Sequence, residues 1–272
     1  MHRSRTRGQS AGSCYTERMI FLSLVALFVL GAIVASFIGV IVARLNTGQS
    51  FLVGRSRCDA CNTQLPSSAL IPVVSYVISG GRATCCGARL SLKAPLAELL
   101  LGALFMVAYL TLGPIPALPL MLLALSVLLA LVLYDLAHQI LPFALLVVFI
   151  AVSAATGFAL APSPLAFVYT LPTALLLSLF LALIHFASRG RAMGFADAPF
   201  SFGLAILTGA AAFPGFIFSF WIGALIGIML LLRRPRGSRM GGEVPFAPFL
   251  AAGFLLAYFT QWNPFIFVSA LH

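Results

Sequence analysis

The chain has 272 residues, of which 61% are hydrophobic and only 8% charged, with a mean hydropathy of +1.09. Those proportions exclude a soluble globular domain and match a polytopic membrane protein. The net charge of +10 does not point to nucleic acid, because all sixteen Lys and Arg lie outside the apolar runs and mark their flanks instead.

A short tail, residues 1–18, carries Arg3, Arg5, Arg7 and Arg18. The stretch from Met19 to Val42 has no charge and is long enough to cross a bilayer core of about 30 Å, which predicts a first transmembrane helix over 19–44. More spans follow and no small-residue cleavage site intervenes, so it reads as an uncleaved helix. Residues 45–95 form a polar island with five basic residues and four of the five cysteines, and are expected to be a small cytoplasmic module. Apolar runs return near 96–112, 118–134, 141–160, 165–187, 200–232 and 244–258. The run 200–232 would extend about 50 Å as one helix, too long for a single crossing, and Phe213-Pro214-Gly215 offers a turn inside it. The expected fold is therefore an all-α polytopic integral membrane protein of about eight transmembrane helices, with the cysteine module between the first and second. Residues 96–272 form the larger membrane domain.

That count satisfies the positive-inside rule for most of the chain. With the cysteine island in the cytoplasm, twelve Lys and Arg fall on the cytoplasmic side, including Arg189, Arg191, Arg233 and Arg234, against the four of the N-terminal tail. The same count puts Asp135, just after the third span, and Asp197, just before the sixth, at one membrane face.

These two are among only six acidic residues in the chain. An ionisable carboxylate beside hydrocarbon costs several kcal/mol, about 2.5–3.5 on insertion scales, and so points to function or to a partner. Two carboxylates sharing a water can hydrolyse a peptide when one is protonated and the other ionised, a division that closeness itself enforces. Asp197 ends Gly194-Phe195-Ala196-Asp197, where Gly194 and Ala196 have little bulk and would let a substrate strand approach. Asp135 opens a stretch ending at Leu141-Pro142, a proline compatible with a new helix start. Cys58-Asp59-Ala60-Cys61 has zinc-knuckle spacing, and Cys85 and Cys86 lie far enough on to complete a tetrahedral thiolate site. For both cysteines to serve, adjacent residues must turn inward; the alternative is a metal-free module held by packing.

The stretch Asp135 to Pro142 and the tetrapeptide Gly194 to Asp197 resemble the two motifs of the type IV prepilin leader peptidases, polytopic aspartic proteases of the Gly-x-Gly-Asp kind. Ala35-Ser36-Phe37 through Arg44-Leu45, Lys93-Ala94-Pro95-Leu96-Ala97-Glu98 and Val244-Pro245-Phe246-Ala247-Pro248-Phe249-Leu250 are similar to further family segments and occur in the family's order. The resemblance implies an aspartic endopeptidase of the cytoplasmic membrane, with Asp135 and Asp197 catalytic. It would cut the leader from a prepilin or pseudopilin precursor after a glycine, at the cytoplasmic end of the precursor's hydrophobic segment. It further implies a module with two Cys-x-x-Cys pairs and, in many members, N-methylation of the new terminus with S-adenosylmethionine. This chain departs from the pattern at Ala196 for glycine, Ala83 for a cysteine, Gly39 for asparagine, Phe143 after Pro142, and Ala198-Pro199 after the second aspartate.

Two other functions fit parts of the pattern: an ion- or proton-coupled transporter lined by the two aspartates, and an inactive membrane scaffold of a pilus or secretion system. No internal repeat of the transporter kind is visible. Glu98 reads as a helix-entry or ion-pair residue. His138 and His185 read as local hydrogen-bond partners, Cys14 has no evident mate, and the Arg233–Arg239 run reads as a topology anchor touching anionic lipid.

Overall fold

Leu, Ala, Phe and Val dominate every long run of this chain, and in the computed structural model the described parts of those runs are mostly helical. Described are residues 6–45, 60, 61, 63, 64, 72–191, 193–233 and 245–263, with side chains of the first helix from residue 17 onward. The helices are α1 (Thr6–Arg44), α2 (Val74–Ile78), α3 (Lys93–Leu112), α4 (Leu118–His138), α5 (Phe143–Leu160), α6 (Pro164–Ala187), α7 (Asp197–Thr208), α8 (Ala212–Arg233) and α9 (Ala247–Thr260). Proline stands in the first turn of α4, α6 and α9, where its missing N–H has no intrahelical acceptor to lose. Ser163 caps α6 by accepting from the N–H of Ala166 at 3.1 Å. Among the described residues the only β pairing with both partners defined is an isolated antiparallel bridge between Arg82 and Arg89.

Six helical stretches are long and apolar enough to cross a membrane: Glu17–Arg44, Lys93–Leu112, Leu118–His138, Phe143–Leu160, Pro164–Ala187 and Asp197–Leu232. The chain is a multi-pass membrane protein. The last stretch contains both α7 and α8, and α9 is a shorter apolar helix, so the apolar helices occur where the expected spans lie. The break within 197–232 is not at Phe213–Gly215. It is the 3-10 turn Gly209–Ala211, opened by Gly209 at φ +55°, a backbone conformation that glycine adopts without strain. Pro214 instead occupies the first turn of α8, where proline is tolerated. Gly215 serves packing: a Cβ there would come within 2.7 Å of the Phe254 Cα on α9.

Residues Met1–Pro114 and Ile115–His272 form two compact units. In the first, α1 lies against α3. Gly31 and Gly102 mark their closest approach, since a Cβ on Gly31 would stand 2.8 Å from the Gly102 Cα. The cysteine hairpin belongs to this unit: the Ala83 N–H donates to the Ala88 carbonyl at 2.8 Å, and Gly87, at φ +71°, closes the turn.

In the second unit α7 is surrounded by α5, α6 and α9, and nearly all its side chains are buried. Phe149 of α5 meets Phe200 of α7 with ring centroids 5.5 Å apart, and both are fully buried. Two buried hydroxyls are satisfied within their own helices: Thr156 donates to Val152 O at 2.7 Å and Thr208 to Leu204 O at 2.9 Å. Ser219 of α8 donates to Gly215 O and also across to Leu250 O of α9 at 3.2 Å. On the outer surfaces Leu175, Leu176, Leu179 and Leu183 of α6 are exposed, a hydrocarbon face suited to lipid.

Candidate active site

Asp135 lies in the last turn of α4, inside the helix rather than after it. The helix ends one turn later, at Gln139 in the left-handed conformation (φ 55°), whose N–H returns to the Asp135 carbonyl at 2.7 Å. Asp197 is the first residue of α7. Its backbone N–H donates to Gly194 O at 3.3 Å, while its carboxylate accepts from the Gly194 backbone N–H, so the turn Gly194–Asp197 is tied in both directions. Both aspartates are nearly shielded, at 6% and 7% exposure, and they lie close enough for their charges to interact.

A third element completes the constellation. The Asp135 carboxylate lies beside the backbone N–H of Ala247, at the first turn of α9. A helix N-terminus offers unsatisfied N–H groups and the positive end of the macrodipole, both favourable to an anion. Pro245 and Pro248 flank this start in sequence and are the signal by which it could be found, but Ala247 acts through its backbone alone and advertises nothing. Asp135 Oδ2 is buried and has no hydrogen-bond partner among the described residues. A buried carboxylate oxygen without a partner, on an acid within electrostatic reach of a second one, is where a polar ligand, water or a reacting group, would be held.

Gly194 and Ala196 flank Phe195 in the turn that delivers Asp197. An added Cβ at Gly194 would meet Asp197 Oδ2 at 3.5 Å, an ordinary contact. Ala196 has φ −68° and ψ −17°, a backbone open to any L residue. His185, at the end of α6, makes a local hydrogen bond from ring Nδ1 to Met193 O at 2.9 Å and lies within electrostatic reach of Asp197. His138 packs its ring on Tyr134 at 4.4 Å.

Of the four cysteines suggested for metal binding, Cys58 lies outside the described residues. The Sγ atoms of Cys61, Cys85 and Cys86 all lie within 4.8 Å of one another, with Cys61 to Cys85 at 3.3 Å and Cys85 to Cys86 at 3.9 Å. Zn–S bonds of about 2.3 Å place tetrahedral sulfur ligands about 3.8 Å apart, so three thiols are already at metal-binding separation. The adjacent cysteines both turn toward Cys61, and Ala83, within the hairpin, is buried. Glu98, buried at the start of α3, accepts from the Val73 N–H at 2.7 Å; Val73 itself is at φ 59°.

Residues 29–112 match the model of the Bacterial Peptidase A24 N-terminal domain family. The prepilin leader peptidase/N-methyltransferase of Bacillus subtilis is 33% identical over 238 residues, covering 85% of this chain and 92% of that protein. The protein of the same name from Pseudomonas putida is 29% identical across 93% of this chain and 94% of its own length. That of Myxococcus xanthus is 39% identical over 130 residues, 46% of this chain and 38% of the relative. No solved structure matches the chain. Similarity that runs nearly end to end with the Bacillus subtilis protein, on a multi-pass helical fold, places this chain in the prepilin leader peptidase/N-methyltransferase family.

Proposed function

We propose that the chain is an aspartic endopeptidase that removes the leader from prepilin or pseudopilin precursors at the cytoplasmic face of the cell membrane, with Asp135 and Asp197 as its catalytic pair. The observation that carries this reading is that two shielded carboxylates, contributed by α4 and α7 of a family member, lie within electrostatic reach of one another. In the mechanism one carboxylate, ionised, takes a proton from a water held between the pair. The other, protonated, donates to the scissile carbonyl oxygen as the water attacks, and the pair then returns a proton to the departing amine. The pair titrates as a unit. The Ala247 and Gly194 N–H groups lie against the two acids and help to hold them, leaving carboxylate oxygen for water and substrate. Gly194 and Ala196 shape the approach of the substrate strand. The substrate's apolar helix enters from lipid and unwinds locally to present a carbonyl. Residues 96–272 would then constitute the peptidase domain, 19–44 its first transmembrane helix, 1–18 a basic tail and 45–95 the cytoplasmic cysteine module.

Asp135→Asn and Asp197→Asn, nearly isosteric, should each lower leader cleavage by about 10³-fold or more while the protein stays in the membrane. The measurement is the size shift of a co-expressed prepilin. Processing by either variant at the normal rate would remove the catalytic pair and favour a transporter or scaffold.

For the module we propose a structural zinc held by Cys58, Cys61, Cys85 and Cys86; the ion would lock the hairpin without joining the hydrolysis. Purified protein should contain about one zinc per chain, and Cys86→Ser should lose it. A metal-free preparation with full activity would remove zinc from the account. The relatives' names also carry N-methyltransferase, which favours a second reading: methylation of the new terminus from S-adenosylmethionine. Mass measurement of the processed product with and without that cofactor tests it.

A further inference from the structure

Nine residues, 188–196, connect α6 to α7 and must deliver Asp197 to the site. They begin with a helix-stop motif in which the Gly190 N–H reaches back to His185 O at 2.8 Å and the Arg189 N–H to Phe186 O at 3.1 Å, the 6→1 and 5→2 pattern of a Schellman turn. Arg189 occupies the left-handed position, at φ 54°, where glycine is usual. His185 thus anchors the start of the connection through its backbone. Its side chain then anchors the far end, through ring Nδ1 and Met193 O at 2.9 Å. A carbonyl oxygen only accepts, so Nδ1 carries the proton. The ring is fixed by edge contacts with Phe186 and Phe195, at centroid distances of 5.4 and 5.5 Å. Gly190 closes the third side, since a Cβ there would fall 3.3 Å from the His185 Cε1.

The carbonyl of Met193 and the N–H of Gly194 are two ends of one peptide group. The first accepts from His185, and the second donates to the Asp197 carboxylate. Hydrogen bonds in series polarise one another, so a donor on the carbonyl strengthens the N–H at the other end and holds the peptide plane at one angle. We propose that His185 is a positioning residue that orients and strengthens the Gly194 N–H on Asp197 through the Met193–Gly194 peptide group. This rests on the reading of Asp197 as catalytic. His185 touches no reacting atom; it acts by setting the carboxylate that does.

The test uses the full-length protein in detergent or membranes with a prepilin substrate. His185→Phe keeps the ring and its packing but removes the donor; His185→Asn loses the ring but places an amide N–H where Nδ1 stood. A donor role predicts that His185→Phe lowers kcat about tenfold with KM unchanged, while His185→Asn stays within about threefold of wild type. A packing role predicts the reverse order. Wild-type kcat in His185→Phe, or an equal loss in both variants, would overturn the proposal. Should His185→Phe fail to fold by thermal melting, His185→Leu, isosteric with the asparagine variant and lacking a donor, repeats the comparison. Asp197→Asn run in parallel separates the two ideas: cleavage by that variant removes the catalytic reading itself, whereas a dead Asp197→Asn beside a fully active His185→Phe removes only the positioning role.

Discussion

Ala196 stands where the resemblance leads one to expect the second glycine of Gly-x-Gly-Asp. Its φ of −68° and ψ of −17° explain how the alanine is tolerated: nothing at that position needs a left-handed backbone. Ala196→Gly should therefore leave cleavage within about twofold of wild type and lower stability by about 0.5–1 kcal/mol through added chain entropy. Cleavage assays and thermal unfolding check the two halves separately. The aspartates themselves are legible in the sequence because a charge stands out against so apolar a background. Their setting is less so. Asp135 sits within α4 because Leu136, Ala137 and His138 continue the helix past the last residue that hydropathy alone would include. The Ala247 N–H that meets Asp135 leaves no trace in any side chain, as a backbone donor is common to every residue but proline.

At the scale of the element, helix packing here depends on small residues that let backbones approach. Gly253 on α9 is the tightest case, as a Cβ there would fall on the backbone N and Oγ of Ser219 on α8. The backbone N cannot retreat without parting the two helices. Gly253→Val should cost at least about 1–3 kcal/mol, read as a lower melting temperature in detergent. Because α9 also presents the Ala247 N–H to Asp135, the same variant should lose cleavage although residue 253 lies well along the helix from it. Wild-type activity in a destabilised Gly253→Val would uncouple α9 packing from the site. Helix starts are readable from Pro119, Pro164 and Pro248, but the break at Gly209 is not chosen by sequence over the more obvious Phe213-Pro214-Gly215. Proline breaks a helix only when an earlier turn already exists; three residues into α8 it simply begins one.

For the whole molecule, loop charge sets an expectation of sidedness that labelling can test. In a background without the native cysteines, Arg191→Cys, in the exposed connection after α6, should react with a membrane-impermeant maleimide only from the cytoplasmic side. Ala161→Cys, between α5 and α6, should react only from the opposite side. Reversed labelling would invert the topology and move the proposed site away from the cytoplasm.

Sequence alone determined that this chain is helical and membrane-embedded, where most helices run, and which two acids deserve suspicion. Those properties follow from hydropathy, helix-start prolines and the energetic rarity of charge in lipid, all of which are local. Tertiary structure decided the rest: that α7 is wrapped by α5, α6 and α9, that α9 turns its N-terminus on Asp135, that Cys85 and Cys86 both face Cys61, and that one peptide group links His185 to Asp197. Each of these joins residues distant in the chain through backbone groups or close packing, and side-chain identity along the sequence carries no record of such meetings.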